Sequence, residues 1–244
     1  MRICAAQLKP VAGDFTTNFV KHLELINLAV AHRADLVFFP ELSLIGYEPR
    51  LAKSLAASPT DRCFDMFQQR SNANNLFIGV GMPIAVSSGV QIGMVWFSPL
   101  LPLRTYAKQQ LHADELHYFV AGDRQLILES VDLKLAPAIC YESLQMDHAK
   151  KAAALAADVY LTSVAKSASN LVNAMLHFPV VARRYKMYVI MANCVGPSDD
   201  FLSVGQSAAW SVRGELLAQM DPESEGLVVL DTIRGTARVH VYCT

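Results

Sequence analysis

The chain has 244 residues, of which 52% are hydrophobic and 18% charged, and its 21 Lys and Arg residues nearly balance its 22 Asp and Glu residues. This apolar, weakly charged composition excludes intrinsic disorder, and the lack of a basic excess excludes nucleic acid as a partner. The length predicts a single α/β domain over residues 1–244, with a core large enough to need no disulfide or metal.

The mean hydropathy of +0.26 raises the question of a membrane protein. No apolar run reaches the roughly 18–20 residues that span a bilayer, and the longest runs, such as residues 188–195, have the length of a strand. The N-terminus lacks the apolar segment and cleavage site of a secretory signal. We therefore expect a cytoplasmic protein that does not contact a membrane.

The cysteines are odd in number, widely spaced and free of CxxC pairs; they are Cys4, Cys63, Cys140, Cys194 and Cys243. This arrangement argues against a disulfide framework and against a zinc site. Cys4 and Cys194 lie inside strand-like patterns and are predicted to be core residues. Cys63 falls on a predicted helix, and Cys243 is terminal.

In the first part of the chain, strand-like and helix-like patterns alternate. Residues 2–7 predict a strand, and a helix follows with Thr16 or Thr17 as its N-cap. One apolar face of this helix is predicted from spacings of three and four residues, at Phe19, Leu23, Ile26 and Val30. Residues 35–39 predict a buried strand that ends at Pro40, and a second helix is predicted to begin at Ser58-Pro59.

Further apolar runs predict strands at residues 76–82, 91–97, 104–107, 125–129, 133–139, 159–163 and 188–194. Helices are predicted at residues 144–157 and before residue 188, where Pro179 must lie in the first turn or break the helix. Residues 207–230 predict short strands joined by turns. The whole pattern favours a layered α/β fold with a partly antiparallel sheet. A short similarity between residues 39–44 and 140–144 would fit two similar halves.

Three reactive side chains follow directly after predicted strands: Glu41, Lys108 and Cys140. Ligands of α/β sheets gather beyond the carboxyl ends of strands, so these positions are candidates for a functional site. Cys140 also precedes a helix, where the helix dipole and free N–H groups stabilise a thiolate. The alternative is a buried structural thiol, because free cysteines are among the most buried residues.

Each of the charged candidates could instead be an ordinary loop or surface residue without a catalytic role. Burial against Phe38 and Phe39 would raise the pKa of Glu41, as suits a general base, but Glu41 could also be an exposed loop residue. Lys108 could balance charge and polarise a carbonyl, or be an ordinary surface lysine. Glu115 and Glu142 are supporting candidates near these residues, and either could be a surface charge.

The other motifs of common enzymes are absent. The sequence has no GxGxxG, GxxxxGK[ST], GxSxG or HExxH pattern, so nucleotide, serine-hydrolase and zinc-protease functions lack support. The histidines form no cluster; His112, His117, His148 and His177 are scattered over predicted loops and helices. A Cys140–His177 pair remains an alternative for nucleophilic catalysis.

Taken together, the segments around Glu41, Lys108 and Cys140 resemble the nitrilase superfamily of carbon–nitrogen hydrolases. The resemblance rests on Phe39-Pro40-Glu41, on Lys108 with Glu115 to Phe119 and Gly122, and on Ile139-Cys140-Tyr141-Glu142, in that order. Residues 34–42, 191–196 and 205–210 extend it over nearly the whole chain. It implies a four-layer α-β-β-α sandwich of two pseudo-equivalent halves, and a homodimer or higher homo-oligomer that packs sandwich against sandwich.

The resemblance also implies roles for individual residues. Glu41 would be the general base, Cys140 the nucleophile and Lys108 the cation at the tetrahedral intermediate. Glu115 matches a second glutamate beside the site, and the Tyr141 backbone N–H would join Lys108 in the oxyanion hole. No metal or organic cofactor is implied.

The leading hypothesis is hydrolysis of a small linear amide through a Cys140 thioester, which releases a carboxylate and ammonia or an amine. Alternatives are hydrolysis of a nitrile or an N-carbamoyl compound by the same residues, and a catalytically silent oligomeric binding module. Relatives that bind an α-carboxylate often carry Arg three or four residues after the nucleophile. Ser143 and Leu144 stand there, so Arg50 or Arg183 would have to replace that arginine.

Overall fold

Two β-sheets face each other between outer layers of helices in the computed structural model of the protein, which describes residues 1–130 and 132–242. This is the predicted four-layer α-β-β-α sandwich. Cys243 lies outside the described residues. Within them, no helix is long and apolar enough to cross a bilayer.

The first half of the chain builds one sheet and its helices. Its elements are β1 (Arg2–Gln7), α1 (Phe15–Ala31), β2 (Leu36–Phe38), α2 (Pro49–Leu55), α3 (Asp65–Asn74), β3 (Phe77–Val86), β4 (Gly89–Phe97) and β5 (Arg104–Ala107).

The second half builds the other sheet and a separate two-stranded antiparallel sheet, and returns two strands to the first sheet. Its elements are β6 (Leu128–Glu129), β7 (Lys134–Ile139), α4 (Met146–Ala154), β8 (Val159–Val164), α5 (Ala168–Tyr185), β9 (Tyr188–Asn193), β10 (Val195–Ser198), β11 (Phe201–Val204), β12 (Ala208–Trp210), β13 (Leu216–Gln219), β14 (Gly226–Asp231) and β15 (Thr236–Val241).

The strand order shows the repeated unit of the two halves. The first sheet runs β15-β14-β1-β2-β3-β4-β5, and the second runs β13-β12-β9-β8-β7-β6. In each sheet three parallel strands, β1-β2-β3 or β7-β8-β9, are followed by an antiparallel one, β4 or β12. Parallel pairing brings the carboxyl ends of neighbouring strands to one edge, where the loops that carry the candidate residues begin.

The two faces of the second sheet contact different layers, as alternation along its strands requires. Leu161 and Ile190 belong to the core between the sheets. Their chain neighbours Tyr160 and Val189 pack instead with Phe178 of α5 in an outer core. Both faces are therefore covered, which explains why these strands are continuous apolar runs.

The first helix differs from the sequence prediction at its cap, whereas the predicted apolar face does pack on the core: Ile26 is fully buried, and Phe19, Leu23 and Val30 are partly buried against it. Asp14, not Thr16 or Thr17, is the N-cap, and its carboxylate accepts hydrogen bonds from the Thr17 backbone N–H at 3.0 Å and hydroxyl at 2.7 Å. The buried face is formed by Asn18, His22, Leu25, Ile26 and Ala29. The polar residues Asn18 and His22 are buried because the loop around Ser43 and Leu44 satisfies them.

Two helix predictions near prolines are also wrong. Ser58-Pro59 lies in a turn, and the chain becomes helical only at a 3₁₀ segment, Arg62–Phe64, that leads into α3. Pro179 neither begins nor breaks α5, because it lies inside that helix. Tertiary packing of the neighbouring Phe178, Val181 and Ala182, all fully buried, outweighs the lost hydrogen bond.

The similarity between residues 39–44 and 140–144 does not reflect the repeat. By strand order β7 corresponds to β1, whereas Glu41 follows β2, the middle strand of its parallel set. The two segments are therefore not equivalent positions of the two halves. The halves are equivalent in topology, and this short match arises by chance.

Candidate active site

The ends of three strands bring Glu41, Lys108 and Cys140 to one buried site, as the sequence predicts. Lys108 Nζ donates hydrogen bonds to Glu41 Oε1 at 2.8 Å and to Glu115 Oε1 at 2.6 Å. The side chains of Lys108, Glu41 and Glu115 are almost completely buried. A buried ammonium with two carboxylate partners is held in one position, because removal of either partner would leave an uncompensated buried charge.

Glu115 lies in a short 3₁₀ segment, Glu115–His117, and is held by three donors. Its Oε1 also accepts a hydrogen bond from the Tyr47 hydroxyl at 2.9 Å, and its Oε2 accepts one from the His112 backbone N–H at 2.7 Å. Both oxygens are therefore fixed. Glu115 is a buried anchor for Lys108 and not a surface charge.

Burial lowers the pKa of the Lys108 ammonium, but the negative charges around it reverse this effect. The largest opposing contribution comes from Glu41, followed by Cys140 and Glu115, and the pKa of Lys108 lies above its ordinary value as a result. Lys108 is therefore positively charged throughout the physiological pH range. It is suited to stabilise a developing negative charge, not to accept a proton.

Glu41 is buried with one oxygen free. Its Oε2 has no hydrogen-bond partner among the described residues. Burial raises the pKa of the Glu41 carboxyl most strongly, Lys108 opposes this rise, and Glu115 adds to it. The Cys140 thiol is also close enough to affect this pKa. A buried carboxylate with a free oxygen beside a thiol is placed to accept the thiol proton.

Cys140 occupies a strained turn between β7 and the 3₁₀ segment Cys140–Leu144. Its φ is +42°, a left-handed conformation that is unfavourable for a residue with a Cβ atom. The turn directs the sulfur toward the neighbouring strand, where Sγ lies 3.7 Å from the Ala165 carbonyl oxygen. The pKa of the thiol is raised to about 11. Burial and the Glu41 charge cause this rise, and the charges of Lys166 and Lys108 limit it. A base is therefore needed at neutral pH.

Tyr141 is the second residue of this 3₁₀ segment. The first N–H groups of a helix have no partner inside it, so the Tyr141 N–H, next to Cys140 in the chain, has no acceptor within the segment. The Tyr141 side chain is partly exposed and lies edge-on to His112 at the cavity wall.

Glu142 is a buried connector between two of the loops. Its Oε1 accepts hydrogen bonds from the Ile139 N–H at 2.8 Å and the Tyr106 hydroxyl at 2.6 Å. Its Oε2 accepts one from the Gln109 N–H at 2.6 Å and a weaker one from the Gln110 N–H at 3.3 Å. Glu142 thus ties the residues after Lys108 to the residue before Cys140.

A chain of hydrogen bonds supports Glu142 from behind. Tyr106 contacts His148 Nε2 at 2.8 Å, and His148 Nδ1 contacts the Tyr160 hydroxyl at 2.7 Å. Burial lowers the pKa of His148 to about 4, so its ring is neutral. Since Tyr106 donates to Glu142, the consistent assignment has Nε2–H donating to Tyr106 and Nδ1 accepting from Tyr160.

Two glycines permit the loops to approach the sheet closely. A side chain at Gly81 would collide with the Pro40 carbonyl oxygen and the Leu42 N–H, on either side of Glu41. A side chain at Gly122 would collide with the Ala107 carbonyl, next to Lys108. Gly122 also donates its N–H to the Lys108 carbonyl at 2.8 Å. These glycines are needed for close backbone approach.

The site opens into a cavity of about 720 Å³. Lys108, Glu115 and Cys140 lie at its base, and Leu144 forms part of its wall. Its outer part carries charges of both signs, among them Arg50, Asp114, Asp199 and Asp200. Arg50 pairs with Asp199 at 3.9 Å. Arg183 lies in the last turn of α5 and does not line this cavity, so of the two suggested arginines only Arg50 is positioned to contact a bound molecule.

The sequence analysis missed one residue of this site. Lys166 follows β8, the parallel neighbour of β7, and its Nζ lies 3.8 Å from Cys140 Sγ. Its side chain is buried, with a relative exposure of 2%, and lines the cavity. The rule that selected Glu41, Lys108 and Cys140 also applies to Lys166, since it lies just beyond the carboxyl end of a parallel strand.

The histidines do not replace Glu41 as a base in the described structure. His177 makes no hydrogen bond with Cys140 there, and its Nε2 has no partner. Burial and the nearby Lys166 charge lower the pKa of His177. Within residues 1–130 and 132–242, no cluster of three or more His, Cys, Asp or Glu residues is arranged to hold a metal ion.

The family model named carbon-nitrogen hydrolase matches residues 2–239. The chain belongs to this family.

Solved structures with the same fold include amidases of the nitrilase superfamily. The chain is similar to the amidase NitN from Nesterenkonia sp. AN1, with a TM-score of 0.85 and 22% identity over 95% of this chain and 92% of that one. A glutamate-to-glutamine mutant of that amidase, with acrylamide added to its active-site cysteine, gives a TM-score of 0.85 at 21% identity. The match again covers 95% of this chain and 92% of that one. These likenesses establish the fold.

Among curated proteins, the chain is similar to glutamine-dependent NAD(+) synthetases from several bacteria. The one from Acinetobacter baylyi is 26% identical over 237 residues, which is 93% of this chain and 43% of that protein. The one from Thermotoga maritima is 25% identical over 241 residues, which is 95% of this chain and 42% of that protein. The chain thus spans less than half the length of these relatives.

Proposed function

We propose that the protein hydrolyses a small linear amide through a Cys140 thioester, with Glu41 as the base and Lys108 as the oxyanion cation. One observation carries this proposal. Glu41 is buried with Oε1 held by Lys108 and Oε2 without a partner among the described residues, and the Cys140 thiol is close enough to lower the pKa of its carboxyl.

In the acylation step Glu41 takes the Cys140 proton, and the sulfur electron pair forms a bond to the amide carbon. The carbonyl π pair moves to oxygen, where Lys108 and the Tyr141 N–H stabilise the negative charge. Loss of one such donor costs about 2.7–4 kcal/mol of barrier. The intermediate collapses when the C–N bond breaks, and Glu41 returns its proton to the departing nitrogen.

In the deacylation step the carboxylate of Glu41 removes a proton from water, and the oxygen attacks the thioester carbon. The same donors hold the second oxyanion. The C–S bond then breaks, Cys140 leaves as a thiolate and regains a proton from Glu41, and the carboxylic acid product dissociates. The cycle consumes one water and one amide and needs no change in redox state.

The relatives and the cavity wall favour a polar amide such as glutamine over a purely aliphatic one. The curated relatives are glutamine-dependent enzymes, and the cavity of about 720 Å³ exceeds the volume of a two- to four-carbon amide. Its outer part presents Arg50 for a carboxylate and Asp199 or Asp200 for an ammonium group. An aliphatic amide is the second candidate, supported by the shared fold with an amidase.

The test is a substrate panel with two readouts. Glutamine, asparagine, butyramide, an N-carbamoyl amino acid and a nitrile are each incubated with the protein, and ammonia release and intact mass are followed. We expect amide turnover and, on rapid quenching, a mass increase on Cys140 equal to the acyl group.

Three variants separate this mechanism from its rivals. Cys140→Ala should abolish turnover and the adduct. Glu41→Gln should remove acylation, whereas a Cys140–His177 hydrolase would tolerate it and lose activity in His177→Asn. Hydrolysis that persists in Cys140→Ala would refute the proposal. No turnover of any compound by the wild-type protein would favour the catalytically silent binding module.

A further inference from the structure

Lys166 is a second buried ammonium group at the nucleophile, and the mechanism above does not use it. Its Nζ lies 3.8 Å from Cys140 Sγ, which is its only hydrogen-bond partner among the described residues. Lys108 in contrast has two carboxylates within 2.8 Å. A buried cation that faces only a neutral thiol is costly, because burial penalises a charge that has no opposite charge to compensate it.

The backbone of Lys166 is fixed, so its side chain is aimed at the site. The Lys166 N–H donates to Asn193 Oδ1 at 2.9 Å, and its carbonyl accepts from the Val204 N–H at 3.2 Å. Asn193 is itself held by the Ser207 hydroxyl and the Gly205 carbonyl. The strand end thus holds the lysine against Cys140 through contacts that do not involve the ammonium group.

We propose that Lys166 is a second catalytic cation, the counter-ion that stabilises the Cys140 thiolate before attack and when the sulfur leaves in deacylation. This inference rests on the proposed role of Cys140 as the nucleophile. In the first step the S–H bond breaks and a Glu41 O–H bond forms, so one negative charge moves from Glu41 to sulfur. Lys108 then faces less negative charge, because Glu41 is protonated, and Lys166 gains the thiolate as a negative partner.

The charges of the cluster agree with this division of roles. Lys166 is the largest of the influences that lower the pKa of Cys140, ahead of Lys108. Glu41 and Glu115 both pair with Lys108, so the charge of Lys166 has no partner until the thiolate forms. The titratable groups that face Cys140 or Lys166 from the surrounding elements are Glu41, Tyr47, Lys108, Glu115, His177 and Cys194.

Thiol reactivity tests this role without knowledge of the substrate. The full-length protein is treated with 2-iodoethanol, a neutral reagent without a carbonyl group, which forms an S–C bond and releases iodide. The rate of Cys140 modification is measured against pH by peptide mass spectrometry. The half-buried Cys63 serves as an internal control in the same samples.

In Lys166→Met we expect the pH profile of Cys140 modification to move up by at least about one unit, with a rate near neutral pH at least tenfold lower. The Cys63 profile should not change. Lys151→Met, a change of an exposed lysine on α4, should match the wild type at both cysteines. A Cys140 profile in Lys166→Met that coincides with that of Lys151→Met would overturn the proposal.

Thermal unfolding distinguishes a catalytic from a structural lysine. Since Lys166 has no carboxylate partner, Met should replace it without loss and raise the melting temperature. A Lys166→Met protein that melts lower or does not fold would identify Lys166 as structural and overturn the inference. This test and the amide panel can fail separately. If the Cys140 profile shifts in Lys166→Met but the wild-type protein hydrolyses no amide, only the proposed function is refuted. If the wild-type protein hydrolyses an amide but the profile does not shift, only the role of Lys166 is refuted.

Discussion

At the scale of single residues, the site is governed by how negative charge is shared around one sulfur atom. Glu41 and Glu115 compete for Lys108, and their mutual repulsion adds to the effect of burial on Glu41. A base with a raised pKa accepts the thiol proton more readily, because its pKa lies closer to that of the thiol. We therefore expect Glu115 to affect catalysis although it need not contact the substrate.

The charge of Glu115 should be visible in the pH dependence of activity. Ionised Glu41 is the active form, so kcat/KM should fall as pH drops through the pKa of Glu41, at a pH above the ordinary carboxyl value of 4.5. Glu115→Gln removes a like charge and lowers the pKa of Glu41. The acidic limb should therefore move to lower pH, with a reduced plateau because Lys108 loses a charged partner.

The control for this prediction is Glu223→Gln, which removes an exposed carboxylate in the turn before β14. Its acidic limb should overlay that of the wild type. If the limb in Glu115→Gln stays in place or moves to higher pH, Glu115 does not control the ionisation of Glu41.

At the scale of elements, the precision of the site comes from connections between loops. Glu142 accepts hydrogen bonds from the loop after β5 and from the end of β7, so it fixes Lys108 relative to Cys140. At about pH 8, above its pKa of about 7, Glu142 is mainly ionised and can accept all four bonds. Its role is to position other residues.

Glu142→Gln should test this connection. A glutamine must turn an NH₂ group toward donors on at least one side, which leaves buried N–H groups without an acceptor. We expect the free energy of unfolding to fall by about 1–3 kcal/mol, measured by urea denaturation at about pH 8, and kcat to fall more than KM changes. Glu129→Gln on the exposed side of β6 should stay within about 0.5 kcal/mol of the wild type. A stability loss as small as that of Glu129→Gln would contradict the positioning role.

The elements that the sequence predicts well are those with a strong local signal. Continuous apolar runs predict β1, β8 and β9 to within a residue, since strands covered on both faces leave such runs. The short helix α2 and the edge strand β15 were missed. The first has only seven residues, and the second alternates between exposed and half-buried side chains with a weak apolar pattern.

For the site, residue type and position at a strand end predict which groups meet, but not their partners. Glu41, Lys108 and Cys140 were identified because they resemble a family motif and follow apolar strands. Lys166 was missed because a lone lysine after a strand is normally solvent-exposed, and its burial depends on β11 and Asn193, distant in sequence. The catalytic roles stay predictions until the variants are measured.

At the scale of the whole molecule, α5 is apolar on two sides. Its inner side packs in the outer core through residues such as Phe178 and Val181. The opposite side exposes Val172, Leu176 and Val180, spaced four residues apart, with relative exposures of 58%, 69% and 38%. A helix that is apolar on both sides is normally covered on both. We propose that a second copy of the chain covers this stripe by symmetric packing, in the homodimer that the family resemblance implies.

The oligomeric state tests this last proposal directly. Light scattering after size-exclusion chromatography should give the wild-type protein twice the 26.8 kDa of one chain or a higher even multiple. Leu176→Glu places a charge at the centre of the stripe, where burial against the partner would cost several kcal/mol, and should give monomers that remain folded. Leu100→Glu, at an apolar residue 84% exposed in the turn after β4, should leave the mass unchanged. A monomeric wild-type protein, or a Leu176→Glu protein that assembles like the wild type, would show that the stripe is not the contact between copies.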